Sequence, residues 1–360
     1  MNAASPPTLA TPHPVVRMQG DPALDALFLP FDDGTLPPPD GGAFIGARDG
    51  VALRRWAGAG LTCEQEFQPT AQALEQGGFR RVEGELAPPQ NFPWVLVLPS
   101  RQRDQARAQL ARAVRLAGNG GRVVCAATNI AGARSMQDDL AAIAGPVTVA
   151  SKYKCRVVWT EPLTAPADPA LCEAWERLDA MRPILDGRYL SRPGLFAWDR
   201  IDPASALLAP HLSAGLTGRA ADLGAGWGYL AAELLTRAPG ITTLDAYEAQ
   251  ARALPALRRN LEPFAARATL GVHWHDVTAG IPGIYDVVVS NPPFHAEDRV
   301  DRPELGRRFI QVAGAALRPG GKFYMVANRH LPYEETLGAV FRSVRLLADA
   351  RGFKAYEASK

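Results

Sequence analysis

The 360-residue sequence predicts an α/β protein made of two tandem Rossmann-like domains, the first a degenerate copy of the second. Three observations carry that prediction: an order of elements that occurs twice, a glycine-rich strand–loop–helix segment found in the second half, and a length beyond what one core usually fills.

The repeat is visible at two glycine turns. Gly120-Gly121-Arg122-Val123-Val124-Cys125-Ala126-Ala127-Thr128 and Gly320-Gly321-Lys322-Phe323-Tyr324-Met325-Val326-Ala327-Asn328 both read as a turn, then a buried strand ending in a polar residue. An apolar strand precedes each, Trp94 to Leu98 and Tyr285 to Ser290. A helical stretch lies between strand and turn, around Gln102 to Leu116 and Pro303 to Leu317. Each copy then has a further helix and two short strands, Val147 to Ala150 with Cys155 to Thr160 and Val344 to Ala348 with Phe353 to Glu357. Two glycines alone would be a weak match; the shared order specifies a duplicated doubly wound domain. The proline-rich run Glu161 to Pro169 closes the first unit. The expected division is a first domain over 1–165, a linker over 166–192 and a second domain over 193–360. Turn signals at Asp186-Gly187 and Pro193-Gly194 suggest a hairpin between Leu185 and Trp198.

The copies differ where chemistry would sit. The first has Leu98-Pro99-Ser100 at its strand end and no acid-and-glycine loop upstream, so no cofactor site is expected there. In the second, Asp222-Leu223-Gly224-Ala225-Gly226-Trp227-Gly228 reads as a strand end, a glycine turn and a helix start, continuing through Leu235. A dinucleotide fingerprint would place its third glycine where Tyr229 stands. An acid two residues before the first glycine suits a ligand with an amino acid tail and no pyrophosphate. The candidate cofactor is therefore S-adenosylmethionine, with Asp222 facing its ammonium and Gly224, Ala225, Gly226 and Gly228 shaping the cradle.

The next strand, Ile241 to Tyr247, should end in an acid that holds both ribose hydroxyls. Glu248 is preferred, because a helix with Leu254, Leu257 and Leu261 starts just after it; Asp245, three residues earlier, is the alternative. Asp276, after His273-Trp274-His275, is placed to accept from the adenine amino group, although a plain loop aspartate would look the same. The two histidines lack a third ligand at metal spacing, so no metal is expected.

Tyr285-Asp286-Val287-Val288-Val289-Ser290-Asn291-Pro292-Pro293-Phe294-His295 is the most specific segment of the chain. Two prolines fix an extended backbone at the end of a buried strand. An exocyclic amine on a base is a poor nucleophile because its lone pair is delocalised. The Asn291 oxygen and the Pro292 carbonyl can accept its two N–H bonds and turn the lone pair toward a sulfonium methyl. Asn291, Pro292, Pro293 and Phe294 are the candidate catalytic residues, with Asn291 also lining the cofactor side and Phe294 stacking on the base. No strong base is needed, and His295 is expected to shape the pocket.

The totals exclude several classes. Cys63, Cys125, Cys155 and Cys172 include no close pair, which fits neither a disulfide framework nor a zinc site and points to a reducing compartment. No apolar run approaches the roughly eighteen residues of a membrane span. The first twenty residues, with Pro6, Pro7, Pro12 and Pro14, read as a flexible tail and not a signal peptide. A cytoplasmic protein is expected, and a monomer, since the duplication supplies what a dimer would. A net charge of +2 does not by itself prove a nucleic-acid partner. Arg101, Arg103, Arg107, Arg112, Arg115 and Arg122, with Arg134, Lys152, Lys154 and Arg156 after them, predict a positive face on the first half.

Taken together, Asp222 to Gly228, Ser290 to His295, Val326-Ala327-Asn328 and Leu331-Pro332-Tyr333 resemble the bacterial tandem-domain ribosomal RNA guanine-N2 methyltransferases. Phe353-Lys354-Ala355-Tyr356 and Pro193-Gly194-Leu195-Phe196 add to the resemblance, and the first half matches more loosely through Asn129 to Ser135 and the strand around Arg156. It implies class I methyltransferase folds in both halves, a first half that has lost the cofactor and supports RNA binding or folding, and methylation of a guanine 2-amino group in ribosomal RNA, free or within a ribosomal particle. Enzymes of either subunit share these motifs, so 23S RNA is the alternative target; the reading leans to the 16S RNA of the small subunit. Trp227 inside the loop and the proline-rich start depart from the family pattern. The rival readings are methylation of an adenine or of a protein glutamine, and an RNA-binding assembly factor without activity.

Overall fold

The computed structural model describes residues 20–88, 90–293 and 303–360. In the first half the described chain opens with α1 (Pro22–Asp32), capped by Asp21, whose carboxylate accepts the Ala23 and Leu24 amides at 3.1 Å. Then come β1 (Ala43–Ile45), α2 (Val51–Arg54), β2 (Thr62–Glu64), α3 (Gln68–Gln76), β3 (Arg80–Arg81) and β4 (Trp94–Val97). The half continues with α4 (Arg103–Ala117), β5 (Arg122–Thr128), α5 (Ala133–Ala144), β6 (Val147–Lys152) and β7 (Cys155–Thr160). Between the halves lie α6 (Pro169–Glu176), β8 (Arg182–Ile184) and β9 (Tyr189–Ser191).

The second half repeats the pattern. It runs α7 (Pro203–Leu208), β10 (Thr217–Leu223), α8 (Tyr229–Arg237), β11 (Gly240–Glu248), α9 (Leu254–Leu261), β12 (Thr269–Trp274) and β13 (Tyr285–Ser290). It closes with α10 (Pro303–Ala316), β14 (Leu317–Asn328), α11 (Glu334–Val340), β15 (Ser343–Ala350) and β16 (Phe353–Ser359). The two seven-stranded sheets, β3-β2-β1-β4-β5-β7-β6 and β12-β11-β10-β13-β14-β16-β15, have the same order position for position. In each, the sixth strand in the order is antiparallel to both neighbours. Each sheet is buried on both faces, which is why its central strands are near-continuous Val, Leu, Ala and Ile.

The segment 166–192 is not a free tether. Cys172 and Trp175 of α6 join the core of the first half, while Ile184 and Tyr189 of the β8–β9 hairpin join that of the second. The hairpin turns at Leu185 and Asp186, both at positive φ, and Gly187, at the first of the two turn signals, with its strands over Arg182–Ile184 and Tyr189–Ser191.

Register shows which residues of the first half stand at the positions of the second half's candidate site. Phe44 pairs with Cys63 and Leu96 as Asp222 pairs with Ala246 and Val289. Continuing that alignment puts Phe44 where the second half has Asp222, Gln65 where it has Glu248, and Leu98 where it has Asn291. An acid, an acid and a carboxamide have become a buried phenyl ring, a neutral amide and an aliphatic side chain.

Candidate functional site

The site forms at the carboxyl ends of β10 and β13, the crevice where a doubly wound sheet exposes its loops. Gly224, Gly226 and Gly228 all have positive φ, at 74°, 56° and 97°. They curl the chain from β10 into α8 with different neighbours. A side chain at Gly228 would meet Leu257 Cδ1 at 2.7 Å, whereas one at Gly226 would meet nothing within 4 Å. Gly228 is thus demanded by packing, and Gly226 opens onto the cradle.

One cavity is lined by Asp222, Gly224, Ala225, Gly226 and Asn291, so the structure brings five of the sequence-derived residues together. Asp222 is 1% exposed and, among the described residues, neither carboxylate oxygen has a partner within hydrogen-bond geometry. Burial pushes its carboxyl up to about 7, and the charge of Glu248 adds to the rise. A buried acid left this way is what a cationic ligand group would complete.

Glu248 stands at the end of β11 and accepts the Gly226 amide on Oε2 and the Gln250 amide on Oε1, both at 2.7 Å. Burial raises its carboxyl, against the pull of those amides. Asp245 is engaged elsewhere, with His273 at 3.0 Å, Tyr285 at 3.0 Å and Arg219 at 3.3 Å. Only Glu248 therefore touches the glycine loop. The Gly224 and Ala225 amides donate to the Tyr247 carbonyl, and with the Gly226 amide on Glu248 the loop's donors are mostly engaged within the protein. The cradle therefore offers shape and carboxylates more than free amides.

Asp276 follows β12 and caps the short turn Val277–Ala279, accepting the Thr278 amide at 2.8 Å. It does not line the cavity with Asp222 and Asn291. Asn291 and Pro292 continue β13, with Pro292 buried and Pro293 exposed. Phe294 and His295 lie outside the described residues.

Two neighbours of Asn291 escaped the sequence reading. Its Nδ2 donates to Asp202 Oδ2 and to Ser205 Oγ, each at 2.8 Å, while its Oδ1 is buried without a partner. Asp202 is the N-cap of α7, accepting the Ser205 amide at 2.9 Å with Pro203 in the first turn. The signature Asp-Pro-x-Ser announces a helix start; nothing local says that the cap faces residue 291. Trp227, the odd residue of the loop, is 4% exposed and packs against Tyr189. Its Nε1 donates to the Ala197 carbonyl at 3.3 Å, holding at the cavity rim a segment whose Phe196 is 68% exposed.

The first half reaches the site through its own counterpart of the Glu248 loop. The Gln68 amide donates to the Ala249 carbonyl and the Ala251 amide to the Glu66 carbonyl, both at 2.8 Å. Gln250 Nε2 reaches Glu66 Oε1 at 3.0 Å, and buried Arg252 lies 3.3 Å from Glu66 and also pairs with Asp179. The residues just after Glu248 are thus stapled to the first half.

Many of the arginines expected to give the first half a positive face are engaged within the fold. Arg107 lies over Trp175 and holds Asp139 through two bonds of 3.1 and 3.0 Å. Arg112 is bound to buried Glu64 at 2.6 Å, Arg115 to Glu176 at 2.7 Å, and Arg122 to Glu161 at 3.3 Å. Arg134 pairs with Asp138, and Arg156 with Gln137. Five of the ten cations expected on that face, Arg107, Arg112, Arg115, Arg122 and Arg134, are thus paired with carboxylates within the fold.

A family model for the methyltransferase small domain matches residues 186–357. Similar proteins include ribosomal RNA small subunit methyltransferase C of Chromohalobacter salexigens, 34% identical over 64% of this chain and 67% of that protein. The protein of the same name from Pseudomonas entomophila is 31% identical over 74% of this chain and 78% of its own length. The chain belongs to the ribosomal RNA small subunit methyltransferase C family. The match to the family's Shewanella loihica member is 37% identical and spans 46% of that protein. A solved member, the T. thermophilus 16S rRNA N2 G1207 methyltransferase in complex with AdoMet and guanosine, has a TM-score of 0.77. It is 26% identical and 97% of each chain is covered, so the family architecture includes both halves.

Proposed function

We propose that the protein transfers a methyl group from S-adenosylmethionine to the exocyclic N2 amine of a guanine in 16S ribosomal RNA. The observation that carries this reading is a pair of buried, unpartnered acceptors facing one cavity, the Asp222 carboxylate and the Asn291 Oδ1. One is suited to a ligand ammonium and the other to a substrate amine. The relative solved with AdoMet and guanosine supports both assignments.

Asp222, Glu248 and the Gly224–Gly228 loop would hold the cofactor, with Asp276 as the acceptor for its adenine. Bound there, S-adenosylmethionine supplies the electrophilic methyl group. The chain's own residues align the nucleophile. Asn291 Oδ1 and the Pro292 carbonyl accept the two N–H bonds of the amine, and its lone pair is turned toward the methyl carbon. The nitrogen then carries one proton too many and releases it to water after transfer, so no strong base is required. Phe294, outside the described residues, is the sequence's candidate for stacking on the base. Catalysis is alignment, which typically contributes several powers of ten.

An adenine amine or a protein glutamine amide presents the same two N–H bonds, and the acceptors alone would take either; family membership favours guanine. An inactive assembly factor would have no need of an intact glycine loop. The substrate is proposed to be a small subunit or an assembly particle in the cytoplasm, with the enzyme acting as a monomer and its first half helping to hold the RNA. Labelled methyl transfer to small subunits, large subunits and their naked RNAs, all from cells lacking the protein, tests the proposal. Label at guanine N2 in small-subunit RNA alone is expected. Label in 23S RNA, or none in RNA with cofactor still bound, would overturn it.

A further inference from the structure

We propose that Asp202 and Ser205 form a clamp that decides which end of the Asn291 carboxamide faces the substrate, making the site selective for an amine donor. The inference rests on the reading of Asn291 given above and goes beyond it, because the direction of that side chain is not a property of Asn291 itself. A carboxamide has two ends of nearly equal size, one accepting and one donating, and its partners decide which end points where.

Here the partners are decisive. Asp202 in its ionised form can only accept, and its Oδ2 takes Asn291 Nδ2 at 2.8 Å. The same oxygen takes the Ser205 amide at 2.9 Å, so the position of the acceptor is set by the first turn of α7. Ser205, 7% exposed, offers Oγ to the same Nδ2 at 2.8 Å. The two hydrogens of the amide are thereby engaged, and Oδ1 is the end left buried without a partner. Reversing the carboxamide would set Oδ1 against the Asp202 carboxylate, acceptor to acceptor, and would turn two donors toward the substrate. The clamp is held by the core: Ala204 and Leu208 of α7 are buried in the cluster that includes Val287, Val289 and Val326.

The consequence is a specificity rule. A group that donates, such as an exocyclic amine, is received at Asn291; a ring carbonyl presented at the same place meets an acceptor and is rejected. Asp202 and Ser205 are positioning residues acting through Asn291.

Two measurements on the full chain test this. The first is solvent exchange of the Asn291 side-chain NH2 in the asparagine-15N-labelled protein, assigned by its absence in Asn291→Ala. The clamp predicts slow exchange in the unsubstituted chain and exchange at least about tenfold faster in Asp202→Ala/Ser205→Ala. The second is methyl-transfer kinetics. The double variant should lose roughly 10- to 100-fold in kcat, with KM and cofactor Kd held within about twofold. Asp202→Asn keeps a carbonyl acceptor for both the cap and Asn291, and should stay within about threefold of the unsubstituted enzyme. Should the double variant fail to fold, Ser205→Ala alone leaves the backbone cap intact and should show a loss of about five- to tenfold. An NH2 that exchanges as fast as an exposed asparagine's, or an unchanged kcat in the folded variants, would overturn the clamp. A protected NH2 in a protein that methylates no RNA would sink the functional reading and leave the clamp standing.

Discussion

Replacing Asp222 with asparagine should stabilise the cofactor-free protein and weaken its hold on S-adenosylmethionine. The carboxyl is 1% exposed, has no hydrogen-bond partner among the described residues, and is pushed by burial from 3.8 to about 7. A rise of that size corresponds to ~4 kcal/mol of differential stability. The sign follows from the direction. The folded value lies above the unfolded one, so the fold is penalised where the unfolded chain is ionised and the folded one resists ionisation. The penalty is absent below about pH 4, grows toward pH 7 and is complete above it. The introduced carboxamide carries no charge, so Asp222→Asn should gain at most ~4 kcal/mol at pH 8 and nearly nothing near pH 4. For a half of this size that is a rise of several degrees in melting temperature. Cofactor binding should move the other way, since the variant loses the partner of the ligand ammonium. A weakening of roughly 100-fold is expected. In the unsubstituted protein, affinity should fall about tenfold per pH unit below 7, as protonation competes with the ligand. Melting curves at pH 5 and pH 8, with calorimetric titration of the cofactor, read all of this. A variant less stable at pH 8, or one binding the cofactor as tightly as before, would refute the reasoning.

Four further substitutions follow from the same geometry. Glu248→Gln copies the first half, where Gln65 turns its Nε2 to the Ala47 carbonyl, and should weaken cofactor binding by ~1.5–3 kcal/mol in calorimetry while leaving the melting temperature nearly unchanged. Gly228→Ala combines φ of 97° with a contact of 2.7 Å to Leu257 and should cost ~2 kcal/mol of stability; Gly226→Ala meets open space and should instead lose cofactor affinity with a smaller change in melting. Arg107→Glu would set a carboxylate against Asp139 and remove the cation from the face of Trp175, so a lower melting temperature is expected, and any loss of RNA affinity should track that destabilisation.

The parts of the molecule legible in the sequence were those written in short segments. The glycine loop, the Asn-Pro-Pro segment and the repeated element order are local, and the second seven-stranded sheet and its site followed from them. The first three strands of the first half went unread because they are two or three residues long, with no period to detect. Once register is known, Phe44, Gln65 and Leu98 are seen to stand where the second half has Asp222, Glu248 and Asn291, and no local sequence feature aligns them. The arginines misled because charge composition carries no information about partners, and Glu64, Asp139 and Glu176 are distant in sequence. Asp202 was unread for the same reason: it reaches Asn291 across 89 residues. The choice between Glu248 and Asp245 needed contacts, since both are acids near the end of one strand.

The most direct test of the central claim is single-turnover methyl transfer to small subunits from cells lacking the protein, comparing the unsubstituted chain with Asn291→Ala and identifying the modified nucleoside by mass. The account predicts one N2-methylguanosine per 16S RNA from the unsubstituted chain. It predicts a rate lower by roughly 100- to 1,000-fold in the variant, with cofactor affinity reduced far less than the rate. A variant that methylates at the full rate, or a product other than N2-methylguanosine, would contradict it.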